Sequence, residues 1–479
     1  MASFVYTLAL FALLPYVWLH LWLRSRKQPD YLAHLGERFG FYPAQQEKAE
    51  SLVWLHGVSV GETRAAAPII AALKARYPGR RILLTHMTPT GRRTSEELFG
   101  DGVLRAYLPY DYPFAVRRFL RRFRPGIGVI LETELWPNVV AECQKHGVPL
   151  MLVNARLSEK SARRYARFAG LTRAALEGLT AIAAQTEADA ARLRALGAPH
   201  VEVLGNVKFD ILPPPEQLAL GETLRKRIDK SLSPAPFPGE RGDGGSRAAP
   251  ARNEWMENPP LSPIPGGGGN GGTRAAPART GARPVLLAAS TREGEEALIF
   301  AALAKRPLGN TLLVVVPRHP QRFDDVAALA TKSGFTVRRR SEETPITAET
   351  QVLIGDSMGE LFAYYAACDV AFIGGSLLDY GSQNLIEACA VGRPVLMGRS
   401  TYNFSHAAQE ALACGAAKQI DSAEDLLEAA AVLFADESAR QRMGEAGKAF
   451  AERHRGATAK TMALIEACGL IRPTFPAAH

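Results

Sequence analysis

The feature that most restricts the fold of this chain is an alternation, run twice, of short apolar stretches with longer amphipathic ones. SLVWLHGVS (51–59) leads into a helical pattern over 63–76, followed by RILLTHM (81–87), GIGVILE (126–132), a helical pattern near 138–145, PLMLVNA (149–155), TAIAAQ (180–185) and HVEVLGN (200–206). Apolar runs of this length, separated by segments of helical period, are the signature of βαβ units. They predict a doubly wound parallel sheet. The alternation restarts at PVLLAAS (284–290) and continues through TLLVVVP (311–317), TVRRR (336–340), QVLIGD (351–356), VAFIGG (370–375) and PVLMG (394–398). A chain of 479 residues is too long for one ordinary core, so each run is read as a domain of its own.

Between 212 and 283 the pattern collapses into PFPGERGDGG, PPLSPIPGGGGNGG and the near-duplicates GGSRAAPAR (244–252) and GGTRAAPAR (271–279). Pro/Gly-rich sequence of this kind has too little apolar surface to bury, so about 50 residues are expected to be a disordered insertion in a linker. The cost of such an insertion grows only with the logarithm of its length. The expected division is an anchor at 1–23, a first domain at 24–211, a linker at 212–283 and a second domain at 284–479.

Residues 1–23 carry no charged side chain, and FVYTLALFALLPYVWLHLWL as one helix would span roughly 30 Å. Arg24, Arg26 and Lys27 follow, while nothing basic precedes, which by the positive-inside rule keeps the downstream domains in the cytoplasm. A cleaved signal would need a basic start and a small-residue cleavage site, and both are missing. The expectation is a single membrane anchor, with interfacial insertion left open by Pro15. Lys and Arg outnumber Asp and Glu by 57 to 48, with Arg117, Arg118, Arg121, Arg122 and Arg124 in one run. Such a run is either a solvated helix face or a surface for anions such as phospholipid or phosphorylated glycolipid. No nucleic-acid recognition motif accompanies it. The five cysteines are widely spaced without a C-x-x-C pair, which fits a reducing compartment, and neither H-E-x-x-H nor a Walker-type loop occurs.

In open α/β sheets, ligands gather beyond the carboxyl ends of the strands. Four loops of the second half qualify: STREGEE (290–296), PRHP (317–320), DSMGEL (356–361) and GGSLLDYGSQNLIE (374–387). The last supplies small residues for close backbone approach, then a helix expected from Asn384 whose N–H groups suit a phosphate, then Glu387 to accept two ribose hydroxyls. Arg318 offers a forked donor for phosphate or carboxylate. In the first half, GERFG (36–40) sets Glu37 between glycines, where it is either a loop carboxylate or a general base. Glu62 in SVGE opens a helix, Glu132 and Glu134 sit together in ETELWPN, and Lys208 in GNVKFD stands where an anion would find it.

In this serial order GERFG, SVGE, YLPYD, ETELWPN, NARLS, GNVKFD, STREGEE, PRHP, DSMGEL, GGSL and NLIEA resemble the Kdo transferases, which move 3-deoxy-D-manno-oct-2-ulosonic acid from CMP-Kdo to a lipid A precursor (lipid IVA) in lipopolysaccharide synthesis. The resemblance covers nearly everything except the Pro/Gly tract. It implies an α/β, GT-B-like fold of two Rossmann-like domains with an interdomain cleft, and a metal- and cofactor-independent inverting transferase at the cytoplasmic face of an inner membrane. It places the lipid on the first domain and CMP-Kdo on the second. Glu37 then matches the general base, and Glu132 and Lys208 match groups assisting the transition state. Pro317, Arg318, Met358, Gly359, Glu360, Asn384, Leu385, Ile386 and Glu387 match the CMP-binding segments. Where many members read Gly-Gly-His-Asn, this chain has Gly381, Ser382, Gln383 and Asn384; glutamine keeps a donor and an acceptor but cannot titrate. A GT-B transferase for another nucleotide sugar, a sugar-nucleotide epimerase and a non-catalytic glycolipid-binding protein are the alternatives.

Overall fold

The computed structural model describes residues 2–43, 52–132, 134–232, 282–342 and 344–468. The Pro/Gly-rich tract, from 233 to 281, lies outside the described residues. The chain divides into two compact units, one formed by residues 1–213 and 447–479 and the other by residues 214–446.

In the first unit, β1 (Leu52–His56), β2 (Ile82–His86), β3 (Leu104–Tyr107), β4 (Pro125–Leu131), β5 (Leu150–Ala155), β6 (Ala181–Ala184) and β7 (Val201–Val203) form a parallel sheet in the order β3-β2-β1-β4-β5-β6-β7. The order reverses between β1 and β4, so their carboxyl ends open the crevice in which such sheets bind ligands. Every residue of β1 is buried because helices cover both faces. The two-residue period of the strand sends Leu52 and Trp54 into one apolar layer, with Phe119 and Leu120, and Val53 and Leu55 into the other, with Ile69 and Leu73. Each such side chain contributes about 1.5–3 kcal/mol of burial.

The second unit repeats the plan. Here β8 (Val285–Thr291), β9 (Leu312–Pro317), β10 (Val337–Arg339), β11 (Val352–Ile354), β12 (Val370–Ile373), β13 (Val395–Met397) and β14 (Ala417–Gln419) run parallel in the order β10-β11-β9-β8-β12-β13-β14, with the reversal between β8 and β12.

Three stretches differ from the expectation. The single apolar helix expected over 1–23 is a bent pair, α1 (Ala2–Ala12) and α2 (Leu14–Lys27), meeting at 49°, and among the described residues no single helix is long and apolar enough to cross a membrane. Pro15, in the first turn of α2, lacks the N–H that would continue the ladder, and its ring would clash with a carbonyl one turn back. The pair rests on its own unit: the Tyr6 hydroxyl donates to Asp111 Oδ2 (2.9 Å), the Tyr112 hydroxyl donates to the Leu10 carbonyl (2.9 Å), and Trp18 stacks on Phe39. The stretch read as linker begins with a 16-residue helix, Pro215–Lys230, that belongs to the second unit. Residues from 447 onward group with the first unit rather than with the domain expected at 284–479.

Candidate active site

In the first unit, Glu37 lies in a 3-10 turn, Leu35–Phe39, that closes on Gly40 in the left-handed region at φ 82°. A side chain at Gly40 would place its Cβ 2.6 Å from the Ala115 carbonyl, so glycine is required for the turn to reach the helix Pro113–Phe123. Glu37 is only 5 % exposed. Its Oε2 accepts from the Tyr107 backbone N–H (2.7 Å) and from Arg92 (3.1 Å), while Oε1 faces His34 Nδ1 at 3.3 Å. Next to it, Arg38 is fully buried with its guanidinium 4.2 Å above the Tyr107 ring, and it donates to the Met87 carbonyl. The carboxylate is therefore fixed at Oε2 by two donors and, among the described residues, faces only the half-exposed His34 ring at Oε1.

A second cluster forms at the ends of β4 and β5. Glu132 and Asn154 both hold left-handed backbone, at φ 61° and 53°. Such strain in residues other than glycine persists only where neighbours enforce it. Asn154 Oδ1 accepts from the Val207 N–H, and Asn206 caps the following turn by accepting from the Lys208 N–H. That turn delivers Lys208 Nζ to 2.6 Å from Glu132 Oε1, so two residues singled out separately from sequence meet in one ion pair. Glu37 makes no direct bond to either. Burial and the nearby Glu62 carboxylate push Glu134 up to about 7. Glu62 itself accepts from the Ser59 N–H as part of a capping box. At the ends of β1 and β2, burial drives His56 down to about 3 and His86 to about 4, so both are neutral at pH 7.

In the second unit the loop after β12 is braced from below by Glu295, whose carboxylate accepts from the N–H groups of Gly375 (2.7 Å), Arg292 (2.8 Å) and Leu377 (3.0 Å). Burial raises this carboxyl above its usual range while those three donors oppose the rise. Gly374 packs so tightly that an added Cβ would lie 2.6 Å from the Ser290 carbonyl. Ser382 (φ 67°) and Gln383 donate their N–H groups back to the Gly375 and Gly374 carbonyls, closing the loop on itself. Pro317 ends β9, and the Arg318 N–H donates to the Thr291 carbonyl. Arg322 grips Glu296 with two bonds of 2.8 Å. His319 is held below its usual range by burial first and then by Arg292, Arg318 and Arg322, which marks this corner as electropositive.

Met358 is half exposed, Gly359 takes φ 82°, and Glu360 is held by Arg340 and by the Ser357 hydroxyl. The last segment requires a correction. The helix begins at Ile386, not Asn384, and has six residues; Asn384 stands before it, accepting from the Ile386 N–H and donating to Glu387 Oε1 (3.1 Å). One N–H expected to be offered to a phosphate is thus already used by a side chain. The side chains of Leu385 and Ile386 are buried in the core, which leaves only their backbone to a ligand. The sequence reading missed Arg92 and His34 as parts of these sites, and it marked Glu295 only as part of the loop STREGEE, without its bracing role. His34 has a local signal, three residues before Glu37; Arg92 has none.

Comparison with known proteins gives the family. Residues 33–211 match the family described as 3-Deoxy-D-manno-octulosonic-acid transferase (kdotransferase), and residues 303–450 match the glycosyl transferases group 1. The chain is 39 % identical over 478 residues to the 3-deoxy-D-manno-octulosonic acid transferase of Bordetella pertussis, covering 96 % of this chain and 98 % of that one. It is 33 % identical to its namesake from Haemophilus influenzae, covering 97 % and 98 %. Among solved structures, a glycosyltransferase from Rickettsia africae (13 % identity, TM-score 0.53, covering 88 % of this chain and 99 % of that one) and UDP-GlcNAc 2-epimerase from Neisseria meningitidis (15 % identity, TM-score 0.51, covering 87 % and 100 %) share the fold. Since transferase and epimerase share that fold, the fold does not choose between them, whereas near full-length identity does. By that identity the chain belongs to the 3-deoxy-D-manno-octulosonic acid transferase family.

Proposed function

We propose that this chain transfers Kdo from CMP-Kdo to a hydroxyl of a phosphorylated lipid A precursor, with inversion at the anomeric carbon and Glu37 as the general base. Family membership makes it a glycosyltransferase that transfers Kdo in lipopolysaccharide biosynthesis. The observation that carries the finer reading is the setting of Glu37: a buried carboxylate whose Oε2 is taken by two donors and whose Oε1, among the described residues, faces only the half-exposed His34 ring.

In the reaction Glu37 takes the hydroxyl proton as the oxygen attacks the anomeric carbon, and the bond to CMP breaks with its electron pair leaving on the phosphate. Lys208, oriented by Glu132, favours the developing negative charge. The CMP moiety is assigned to the second unit: the braced loop at 374–377 and the electropositive corner of Arg292, Arg318 and Arg322 meet the phosphate, and Glu387 faces the ribose. With a capped six-residue helix, the phosphate depends on these groups more than on a helix dipole.

Membrane contact is assigned to α1 and α2, at the inner membrane with both units on the cytoplasmic side. Phe4, Leu8, Tyr16, Trp18, Leu19 and Trp22 are exposed along the pair, and Arg24 and Arg26 follow. The other side of the pair is bonded to its own unit, so an in-plane insertion against anionic headgroups fits better than a crossing.

The test is direct. Detergent-solubilised protein given CMP-Kdo and a tetraacylated lipid A precursor is expected to yield a product heavier by one or more Kdo residues, and Glu37→Gln is expected to reduce kcat by about 10²–10⁴-fold. A product absent with CMP-Kdo but present with another nucleotide sugar would reassign the donor.

A further inference from the structure

Glu37 has three bonding partners, and only one of them can accept a proton. The Tyr107 N–H and the Arg92 guanidinium are donors at every physiological pH, and both act on Oε2. The third, His34 Nδ1, lies 3.3 Å from Oε1. His34 is 49 % exposed at its side chain against 7 % for Glu37, so its ring stands at the boundary between a buried carboxylate and water. It is also held in place: its backbone is left-handed at φ 55°, and its carbonyl accepts the Glu37 N–H at 2.9 Å.

We propose that His34 is the proton relay that returns Glu37 to its basic form after each transfer. This inference rests on the reading of Glu37 as the base. The hydroxyl proton goes to Glu37 Oε1 as the new glycosidic bond forms and the bond to CMP breaks. The carboxylic acid then passes that proton to His34 Nδ1, the ring becomes an imidazolium, Nε2–H releases its proton to water, and exchange with water moves the remaining ring proton from Nδ1 back to Nε2 before the next turnover. One proton leaves per bond formed, and no redox partner is required. The charged and titratable groups around the pair are Arg92, with its own partner Glu96, then Arg38 and Tyr107, the outer pair Asp30 and Arg93, and Tyr42. The arginines in this shell cannot take a proton. Burial, the first cause, holds Tyr107 above its usual range and Tyr42 well above it, so neither phenol offers a phenolate at neutral pH. Asp30 is already engaged by Arg93 at 2.7 Å. His34 is argued to act through Glu37, so it is a positioning residue for proton exit rather than a catalytic residue.

The experiment uses the full chain in detergent with three variants. His34→Asn keeps a residue type tolerant of left-handed backbone and removes the titratable ring; His34→Gln serves as the second replacement should the first fold poorly. Both are expected to lose kcat at least about tenfold with little change in KM for either substrate, and to regain it as free imidazole is added. Glu37→Gln is expected to be inactive with or without imidazole. Wild-type turnover in the His34 variants, or a loss that imidazole leaves untouched, overturns the relay while the base assignment stands. Full turnover in Glu37→Gln overturns the base assignment and the relay with it.

Discussion

Burial at Glu134 makes this unit sensitive to pH. Its folded value of about 7 stands above the ordinary 4.5, raised by burial first and then by Glu62 and Glu132. A carboxyl raised on folding binds its proton more tightly in the native state, so it favours the fold below pH 4.5 and loses that advantage as pH climbs through 7. The full penalty above pH 7 is on the order of 3 kcal/mol. Glu134→Gln is therefore expected to raise Tm relative to wild type at pH 8 and to leave the two closely matched at pH 4.5; equal pH dependence in both proteins would place the buried charge elsewhere. Residue-level chemistry was partly legible. GERFG marks Glu37 as a carboxylate between glycines just past the apolar N-terminal stretch, with its role as base implied by the family resemblance, and Glu132 and Lys208 stand at strand ends. Their pairing across 76 residues, and the 55-residue reach of Arg92 to Glu37, depend on which strands are neighbours, and no local pattern encodes that.

Elements are legible where an apolar run is clear, as in twelve of the fourteen described strands; β3 and β14, at sheet edges with two and one buried residues, leave too short a run to mark. They were read poorly where side chains compete with the backbone. The sequence pattern points to Asn384 as the first helical residue, yet its side chain accepts from the Ile386 N–H and so delays the helix by two positions. Helix Pro215–Lys230 was lost in the linker because its buried face is Gly221, Leu224, Arg225 and Ile228, with only two large apolar residues to show a period. Its anchor is instead Arg225, which bonds to Asp369 (2.7 Å) and Asp229 (3.1 Å). The loop after β12 yields the prediction at this scale. At Gly374 a methyl group would meet the Ser290 carbonyl at 2.6 Å and the Thr291 Cα at 2.6 Å, both backbone atoms that cannot rotate away. Gly374→Ala is expected to push the loop outward at a cost of about 1–3 kcal/mol. The expected readout is CMP binding weakened about tenfold or more by calorimetric titration, with Tm lowered by a few degrees. Unchanged CMP affinity would remove this loop from the donor site.

At the scale of the whole molecule, the expected domains followed chain order, but the first unit is built from both ends of the chain. The helix Ala457–Ala467 lies in the core layer of the first sheet, with Met462, Leu464 and Ile465 buried beside Ile69, Ile70 and Leu73. Asp210 receives the Gly456 N–H at 2.6 Å, Glu466 is bonded by the Tyr77 hydroxyl (2.6 Å) and Arg76 (2.7 Å), and Phe209 meets Phe450 edge-on at 5.3 Å. Sequence could not show this return, because the apolar face of the helix Ala457–Ala467 carries no mark of the sheet it covers. A chain ending at Ala446 loses Phe450, Met462, Leu464 and Ile465, each contributing about 1.5–3 kcal/mol of burial. The sum rivals the whole stability of a domain, about 5–15 kcal/mol, so the first unit of the truncated chain is expected not to hold its fold. The second unit loses none of its own core, since its residues end where the truncation does. Limited proteolysis of the truncated chain should therefore digest residues of the first unit and leave a resistant fragment that still binds CMP. Equal resistance of both units would mean that the last helix only decorates the first sheet.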